Sequence, residues 1–266
     1  MRRYLFEIFG YLAFILVGIT LGLIGGGGSI LTVPILVYLF RLPADISTSY
    51  SLFLVGLSAV FAAIGYHKQN LIDYKIGAYF AVPAFIGVFL VRKFLMPSIP
   101  SEFTLFDFHI TKDQLILTVF AALMLLASVS MIKGRTADTE GISTKNPNLI
   151  IVFAEGLFVG GITGFVGAGG GFLIIPALIF FAGLKVKVAV GTSLAIIAVK
   201  SLLGLMGDLG QISIDWAFLI GVGFISSIGV YGGLWINRRI EAKSLKKVFG
   251  YFVLVMGLAI ISKQVI

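Results

Sequence analysis

Glycine is concentrated in two short runs, at residues 25–28 and 167–171, and an apolar segment of about a dozen residues follows each run. Successive glycines are poor helix formers, because each costs about 1 kcal/mol relative to alanine. We therefore expect the helices to break there and short helices to begin at Ser29 and at Gly171. The first turn of a helix presents unpaired backbone N–H groups and a partial positive charge, which favour an anion with several oxygens. The simpler interpretation is that the glycines only allow close helix packing.

Hydroxyl residues and one lysine follow the short segments and could complete such a site. Hydroxyls can donate to an oxyanion, but they also bond back to their own helix or join two helices, and both interpretations stay open. Lys200 lies inside an apolar block, where a cation needs a partner or a cavity. It could hold an anion directly, pair with Asp208 or Glu155, or extend towards an interface. The hydroxyl residues are Thr48, Ser49, Ser51, Thr192 and Ser193.

Glu155 is the matching acidic candidate, and it could neutralise Lys200, carry a coupling proton or lie at a wet interface. His67 and His109 lie outside the apolar blocks without a second ligand nearby, so we expect no metal, no cofactor and no catalytic residue. Asp73 and Asp215 each precede a segment and are interpreted as helix N-caps. The predicted substrate-binding residues are Gly25, Gly26, Gly27, Gly28, Ser29, Ser49, Ser51, Gly167, Gly169, Gly170, Gly171, Thr192, Ser193 and Lys200.

The composition places these residues in a membrane protein. Of 266 residues, 59% are hydrophobic and 12% charged, which nearly excludes a soluble enzyme. The net charge of +8 comes from scattered lysines and arginines, with Arg92 counted among the loop charges, and does not indicate nucleic-acid binding. We predict an all-α polytopic fold with eight spans and two short segments. The spans are 6–24, 46–66, 76–96, 113–132, 149–166, 188–206, 215–236 and 247–262; the short segments are 29–40 and 171–183.

The two glycine runs belong to an internal repeat. Residues 22–36 and 164–178 are identical at seven of fifteen positions, with an offset of 142 residues. We predict a first membrane repeat at 1–132, a polar linker at 133–148 and a second repeat at 149–266. If the short segments cross the membrane, each repeat has an odd number of spans and the repeats are inverted; if they do not, the repeats are parallel.

Both copies fit the pattern G-x-x-G-x-G-G-G/S-x-x-x-x-P, and on this double motif the chain resembles the sulfite exporter TauE/SafE family. The first copy departs slightly, with Gly26 where the second has Ala168, and Ser29 where the second has Gly171. The resemblance implies a multi-pass inner-membrane protein that moves sulfur-containing or related organic anions, such as sulfite or a sulfonate. A related thiosulfate-uptake group uses cysteines, and this chain has none, so that chemistry does not carry over.

The sequence therefore predicts a secondary transporter for a small anion, bound at the paired glycine runs. Its expected partners are the anion, the lipid bilayer and a coupling proton or ion, and a homodimer is an assembly that the sequence leaves open. A nucleotide-binding motif is absent, so we expect no direct use of ATP by this chain. An anion channel is the first alternative, because glycine-rich re-entrant segments occur there too. An intramembrane enzyme is the second, and it would need a nucleophile and a base at membrane depth.

Overall fold

The computed structural model describes residues 2–105, 108–133, 149–237 and 242–265. Long helices dominate it, joined by short turns, because nearly every segment between polar turns is an extended apolar run. The helices are α1 (Arg2–Ile24), a 3₁₀ helix (Gly26–Leu31), α2 (Thr32–Tyr38), α3 (Ala44–His67), α4 (Tyr74–Leu90), a π-helical turn (Val91–Leu95), α5 (Met96–Ser98), α6 (Lys112–Ile132), α7 (Leu149–Val166), α8 (Gly171–Phe180), α9 (Val186–Gly204), a 3₁₀ turn (Leu205–Gly207), α10 (Trp216–Asn237) and α11 (Ala242–Val265).

The chain is an all-α polytopic membrane protein apart from one hairpin. Seven helices of the described part are long and apolar enough to cross a membrane, and α1 contributes a shorter apolar stretch, Ile8–Ile24. The hairpin pairs β1 (Glu102–Leu105) with β2 (Phe108–Thr111) in antiparallel register, between α5 and α6. The sequence analysis did not predict it. Of the predicted linker, residues 134–148 lie outside the described residues.

Local capping fixes where several helices begin. Thr111 and Gln114 form a capping box at the start of α6, each side chain bonding the backbone N–H of the other residue. Asp73 accepts a hydrogen bond from the backbone N–H of Ile76 at 3.0 Å, and Asp215 caps α10 in the same way through Phe218. The N-cap interpretation of both aspartates is therefore confirmed.

Two helix pairs pack in parallel through glycines. α1 lies along α10, where a Cβ on Gly18 would overlap the backbone of Ser226 and one on Gly22 would overlap that of Val230. α4 lies along α7 in the same manner, and a Cβ on Gly160 would overlap the backbone of Ala84. Such close approach is the usual packing of membrane helices and requires small residues at the contact.

Two other pairs pack antiparallel. α3 and α9 cross the centre of the bundle, with Gly56 against Leu202 and Gly191 against the backbone of Leu71, just beyond the other end of α3. α6 and α11 form the second pair, with Gly250 beside Met131.

The ends of α3 and α9 define the two faces used below. The Arg92 face holds the start of α3 at Ala44 and the end of α9 at Gly204. The Tyr66 face holds the end of α3 at His67 and the start of α9 at Val186.

Candidate functional site

The two glycine runs meet inside the bundle. Gly26 and Gly171 pack backbone to backbone, so that a Cβ on either would overlap the Cα of the other. Gly170 precedes α8 in the left-handed conformation with φ of 76°, which a side chain would strain. The expectation that the first short helix begins at Ser29 is wrong, because a 3₁₀ helix already begins at Gly26. Tertiary contact with the second run outweighs the weak helix propensity of these glycines.

Ser29 fastens this contact. Its hydroxyl lies 2.5 Å from the carbonyl oxygen of Ala168 and 2.6 Å from that of Gly26, and the residue is fully buried. A Cβ on Gly169 would lie 3.2 Å from the hydroxyl oxygen of Ser29, so this hydroxyl lies among residues of both runs. The structure thus brings together Ser29 and glycines of the two runs.

Lys200 lies beside the second run. It is fully buried, and its Nζ donates a hydrogen bond of 2.7 Å to Oγ1 of Thr163 on α7. Thr163 in turn contacts Gly170, where a Cβ would overlap the threonine methyl group. Within the described residues Lys200 forms no ion pair, so its charge is met only by a neutral hydroxyl. Neither Asp208 nor Glu155 is its counter-ion.

Arg92 is a second buried cation, and the sequence analysis missed it by counting it with the loops. The side chain is 1% exposed, and its Nη1 donates to Oγ1 of Thr48 at 3.1 Å and to Oγ of Ser49 at 3.0 Å. Oδ2 of Asp208 lies 3.5 Å from the same nitrogen. The backbone of Thr48 packs against Gly167, so a single residue, Thr48, connects Arg92 to the second glycine run. Its position inside the apolar segment 76–96 was the signal that could have revealed it.

Asp208, directly after the span Val186–Gly207, is the carboxylate of this pair. Burial raises the pKa of its carboxyl group, while the Arg92 guanidinium acts in the opposite direction. Arg92, Lys200 and Asp208 are the charged side chains that are buried in the described part of the chain. Two buried cations against one buried carboxylate leave the interior with an excess positive charge, which favours an anionic ligand.

The other predicted residues occupy different environments. Ser51 is buried, and its hydroxyl has no hydrogen-bond partner among the residues that the structure describes. Thr192 accepts the backbone N–H of Asp73 at 2.9 Å, and Ser193 donates to the carbonyl of Val190 on its own helix at 2.8 Å. These two hydroxyls therefore hold helices in the structure and do not reach the contact between the glycine runs through any hydrogen bond.

Glu155 lies on the outer part of α7. Its flanking residues Phe153 and Phe158 are exposed towards the surface that lipid would cover, whereas the glutamate is half-buried. Oε2 is buried and has no hydrogen-bond partner among the described residues. The structure thus separates Glu155 from the hydrogen bond between Lys200 and Thr163, which lies eight residues further along the same helix.

Two cavities lie on opposite faces of the glycine contact. The first, about 360 Å³, opens at the Tyr66 face and reaches Ile24 and Phe172, which directly flank the two runs. The second, about 350 Å³, opens at the Arg92 face and reaches Ser49 and Arg92. Between them stand the Gly26–Gly171 packing and the hydroxyl of Ser29. This arrangement has two vestibules that share no lining residue.

Comparison with known proteins places the whole chain among membrane transporters. Residues 11–260 match the family described as sulfite exporter TauE/SafE. A "Probable membrane transporter protein" of Xylella fastidiosa (strain 9a5c) is 29% identical over 252 residues, covering 92% of this chain and 91% of the relative. The "Probable membrane transporter protein YunE" of Bacillus subtilis (strain 168) is 25% identical over 250 residues, covering 90% and 91%. No solved structure matches the chain.

Proposed function

Because this chain belongs to the sulfite exporter TauE/SafE family, and is therefore a multi-pass membrane transporter, we propose that its substrate is a small oxyanion such as sulfite or a sulfonate. The proposal concerns the substrate class, the binding residues and the transport mechanism. Both the family description and the excess positive charge of the interior support an anionic substrate.

The observation that carries the proposal is the uncompensated charge of Lys200. Removing a cation from water is costly unless an opposite charge receives it, and Thr163 supplies only a neutral oxygen. Thr163, which accepts the hydrogen bond from the ammonium group, contacts Gly170, the N-cap residue of the short helix α8. An oxyanion bound there would neutralise the lysine and would lie near the positive end of the α8 dipole.

We further propose that the chain is built from two inverted repeats. α3 and α4 begin at Ala44 and Tyr74, and α9 and α10 begin at Val186 and Trp216, which is 142 residues later in each case. The corresponding helices α3 and α9 run antiparallel, as do α6 and α11. Of the two topologies compatible with the sequence, the antiparallel packing supports the inverted one.

We propose that transport proceeds by alternating access. The glycine contact separates a cavity on each face, so a modest movement of one short helix would join the binding site to one cavity and close it from the other. A carrier fits this arrangement better than a channel, because a channel needs one continuous path. Glu155 is our candidate for proton coupling, since its Oε2 is buried without a partner in the described part of the chain.

Flux measurements in proteoliposomes test the proposal. We expect radiolabelled sulfite or methanesulfonate to enter with a rate that saturates, and to exchange faster when unlabelled anion is present inside. A rate that stays proportional to concentration, together with an anion current, would support the channel instead. Absence of both binding and flux for every sulfur oxyanion tried would contradict the proposed substrate class.

A further inference from the structure

The guanidinium group of Arg92 is only half used by the protein. Its Nη1 is held by the hydroxyls of Thr48 and Ser49 and by the carboxylate of Asp208. Nε and Nη2 are buried, and neither has a hydrogen-bond partner among the residues that the structure describes. Nε and Nη2 form one edge of the planar group, the edge that binds two oxygens of a carboxylate or phosphate in a fork. Buried unpaired donors of this kind are rare and call for a ligand or another explanation.

We propose that this edge of Arg92 is a second oxyanion site, which receives the sulfite or sulfonate group at the Arg92 face before or after it occupies the Lys200 site. This inference rests on the proposed function and adds a separate place of binding to it. The backbone around Arg92 supports a functional role, because the residue lies in the π-helical turn Val91–Leu95, and π-helical turns inside α-helices are frequent at functional sites.

The surrounding charges favour an anion at this face. Lys93 and Lys112 line the same cavity as Arg92, and the acidic residues there are Asp45 and Asp208. Lys112 pairs with Asp45 at 3.5 Å, which leaves the exposed Lys93 as the excess charge of the group. A cleft with an excess of one sign concentrates ligands of the other sign. The cavity of about 350 Å³ has room for a small oxyanion and several water molecules.

The opposite face does not offer the same chemistry. At the offset of 142 residues, Leu234 corresponds to Arg92, and Tyr66 corresponds to Asp208. Both residues line the cavity at the Tyr66 face, where the Tyr66 hydroxyl accepts a hydrogen bond from Asn237 at 3.2 Å. The two vestibules therefore differ in their charged groups although the helices around them correspond: Arg92 and Asp208 have no charged counterpart at the Tyr66 face, where Lys187 lines the cavity. Of the two cavities, only the one at the Arg92 face therefore offers a forked guanidinium edge to an oxyanion.

The link to the centre runs through Thr48. Its hydroxyl holds Nη1 of Arg92, while its backbone packs against Gly167 at the start of the second glycine run. An anion on the free edge of Arg92 competes with Asp208 for the same positive charge, and the 3.5 Å separation shows that Asp208 is not held to Arg92 by a close hydrogen bond. Binding of an anion at Arg92 can thus affect the second glycine run through Thr48.

Equilibrium dialysis of the purified full chain with radiolabelled sulfite tests this second site. We expect two anions per wild-type chain, and one per chain in Arg92→Lys, which keeps the charge but lacks the forked edge. The affinity of the lost site should fall at least about tenfold, as expected when a charge-assisted pair of hydrogen bonds is removed. Asp208→Asn should raise the affinity of that site several-fold, because it removes the competing carboxylate.

The controls separate this inference from the function on which it rests. Lys185→Gln removes an exposed cation from the Tyr66 face and should leave both sites unchanged. One anion per wild-type chain, lost in Lys200→Met and retained in Arg92→Lys, would overturn the second site and leave the proposed function standing. No anion bound by a folded wild-type chain would overturn both. If Asp208→Asn only lowers the melting temperature and leaves the affinity unchanged, the Arg92–Asp208 pair is structural and the inference fails.

Discussion

Replacing Lys200 by methionine should maintain or raise the stability of the folded state and lower its affinity for the anion. Methionine has nearly the same length and no charge, and the site is fully buried. Thr163 keeps its own hydrogen bond to the carbonyl of Gly160 at 3.2 Å, so the substitution leaves that hydroxyl with a partner. The variant no longer has to hold an uncompensated ammonium group inside the bundle. We therefore expect its folded state to be at least as stable as that of the parent chain.

The loss of anion affinity follows from the missing hydrogen bond. A hydrogen bond to a charged group contributes about 1.5–3 kcal/mol, so its loss raises the dissociation constant roughly 10- to 150-fold. At a sulfite concentration of about 100 times the parent Kd, ligand binding stabilises the folded parent by about 2.7 kcal/mol. The same concentration is close to the Kd of a variant weakened about 100-fold, and the stabilisation falls to about 0.4 kcal/mol.

Thermal unfolding with and without sulfite measures both the stability of the folded state and the stabilisation that the anion adds to it. The parent should melt at a clearly higher temperature with sulfite, whereas Lys200→Met should lose the part of this increase that comes from the Lys200 site and keep only the part that comes from the Arg92 site. Lys185→Met, which changes an exposed lysine near the start of α9, serves as the matched control and should respond to sulfite like the parent. The reasoning is refuted if Lys200→Met is less stable than the parent and still gains the full stabilisation from sulfite.

Further substitutions test the glycine contact, the partner of the buried ammonium group and the two cavities. Gly171→Ala should abolish transport and lower the melting temperature, because its Cβ would overlap the backbone of the other run; Gly221→Ala, where a Cβ meets nothing within 4 Å, should leave both within the parent's range. Thr163→Val should lower the free energy of unfolding by about 1–3 kcal/mol in denaturant titrations, since it leaves a buried charge unpaired, and an unchanged value would contradict the contact. In this chain without cysteine, Val190→Cys and Lys93→Cys should react with an impermeant thiol reagent from opposite sides of a vesicle, and reaction from one common side would contradict the assignment of the cavities to two faces.

The sequence predicts the parts of this site that depend on local pattern. Lys200 lies in the middle of an apolar block, a position that indicated a cation in need of a partner or a cavity, and the structure shows it fully buried. The breaks after Ile24 and Val166 follow from glycine's low helix propensity. What the pattern does not contain is the partner of each residue. Thr163 could be identified as the partner of Lys200 only after α7 and α9 were placed side by side, because the two residues are 37 positions apart.

Arg92 shows why the remainder could not be predicted. It stands next to Lys93 and shortly before Pro97, a sequence that resembles the end of a span. Both residues lie in the π-helical turn, where Arg92 is buried and Lys93 is exposed. The position of both residues inside the segment 76–96 indicates a cation at membrane depth, but the sequence does not show which of the two is buried. The hairpin β1–β2 was missed for a related reason, since its strands have only four residues each.

The contacts between the glycine runs are themselves related by the offset of the two halves. Moving each residue of the Gly26–Gly171 contact by 142 positions gives Ala168 and Ser29, and these two residues are joined by the Ser29 hydrogen bond. The interface is therefore symmetric in position and asymmetric in chemistry, because only one of its two contacts includes a hydroxyl. A carrier of two inverted repeats alternates by letting each half adopt the conformation of the other. If the proposed repeats exchange conformations in this way, the Ser29 hydroxyl stays with the first run, and we expect the two states to differ in energy by the contribution of its hydrogen bond to Ala168.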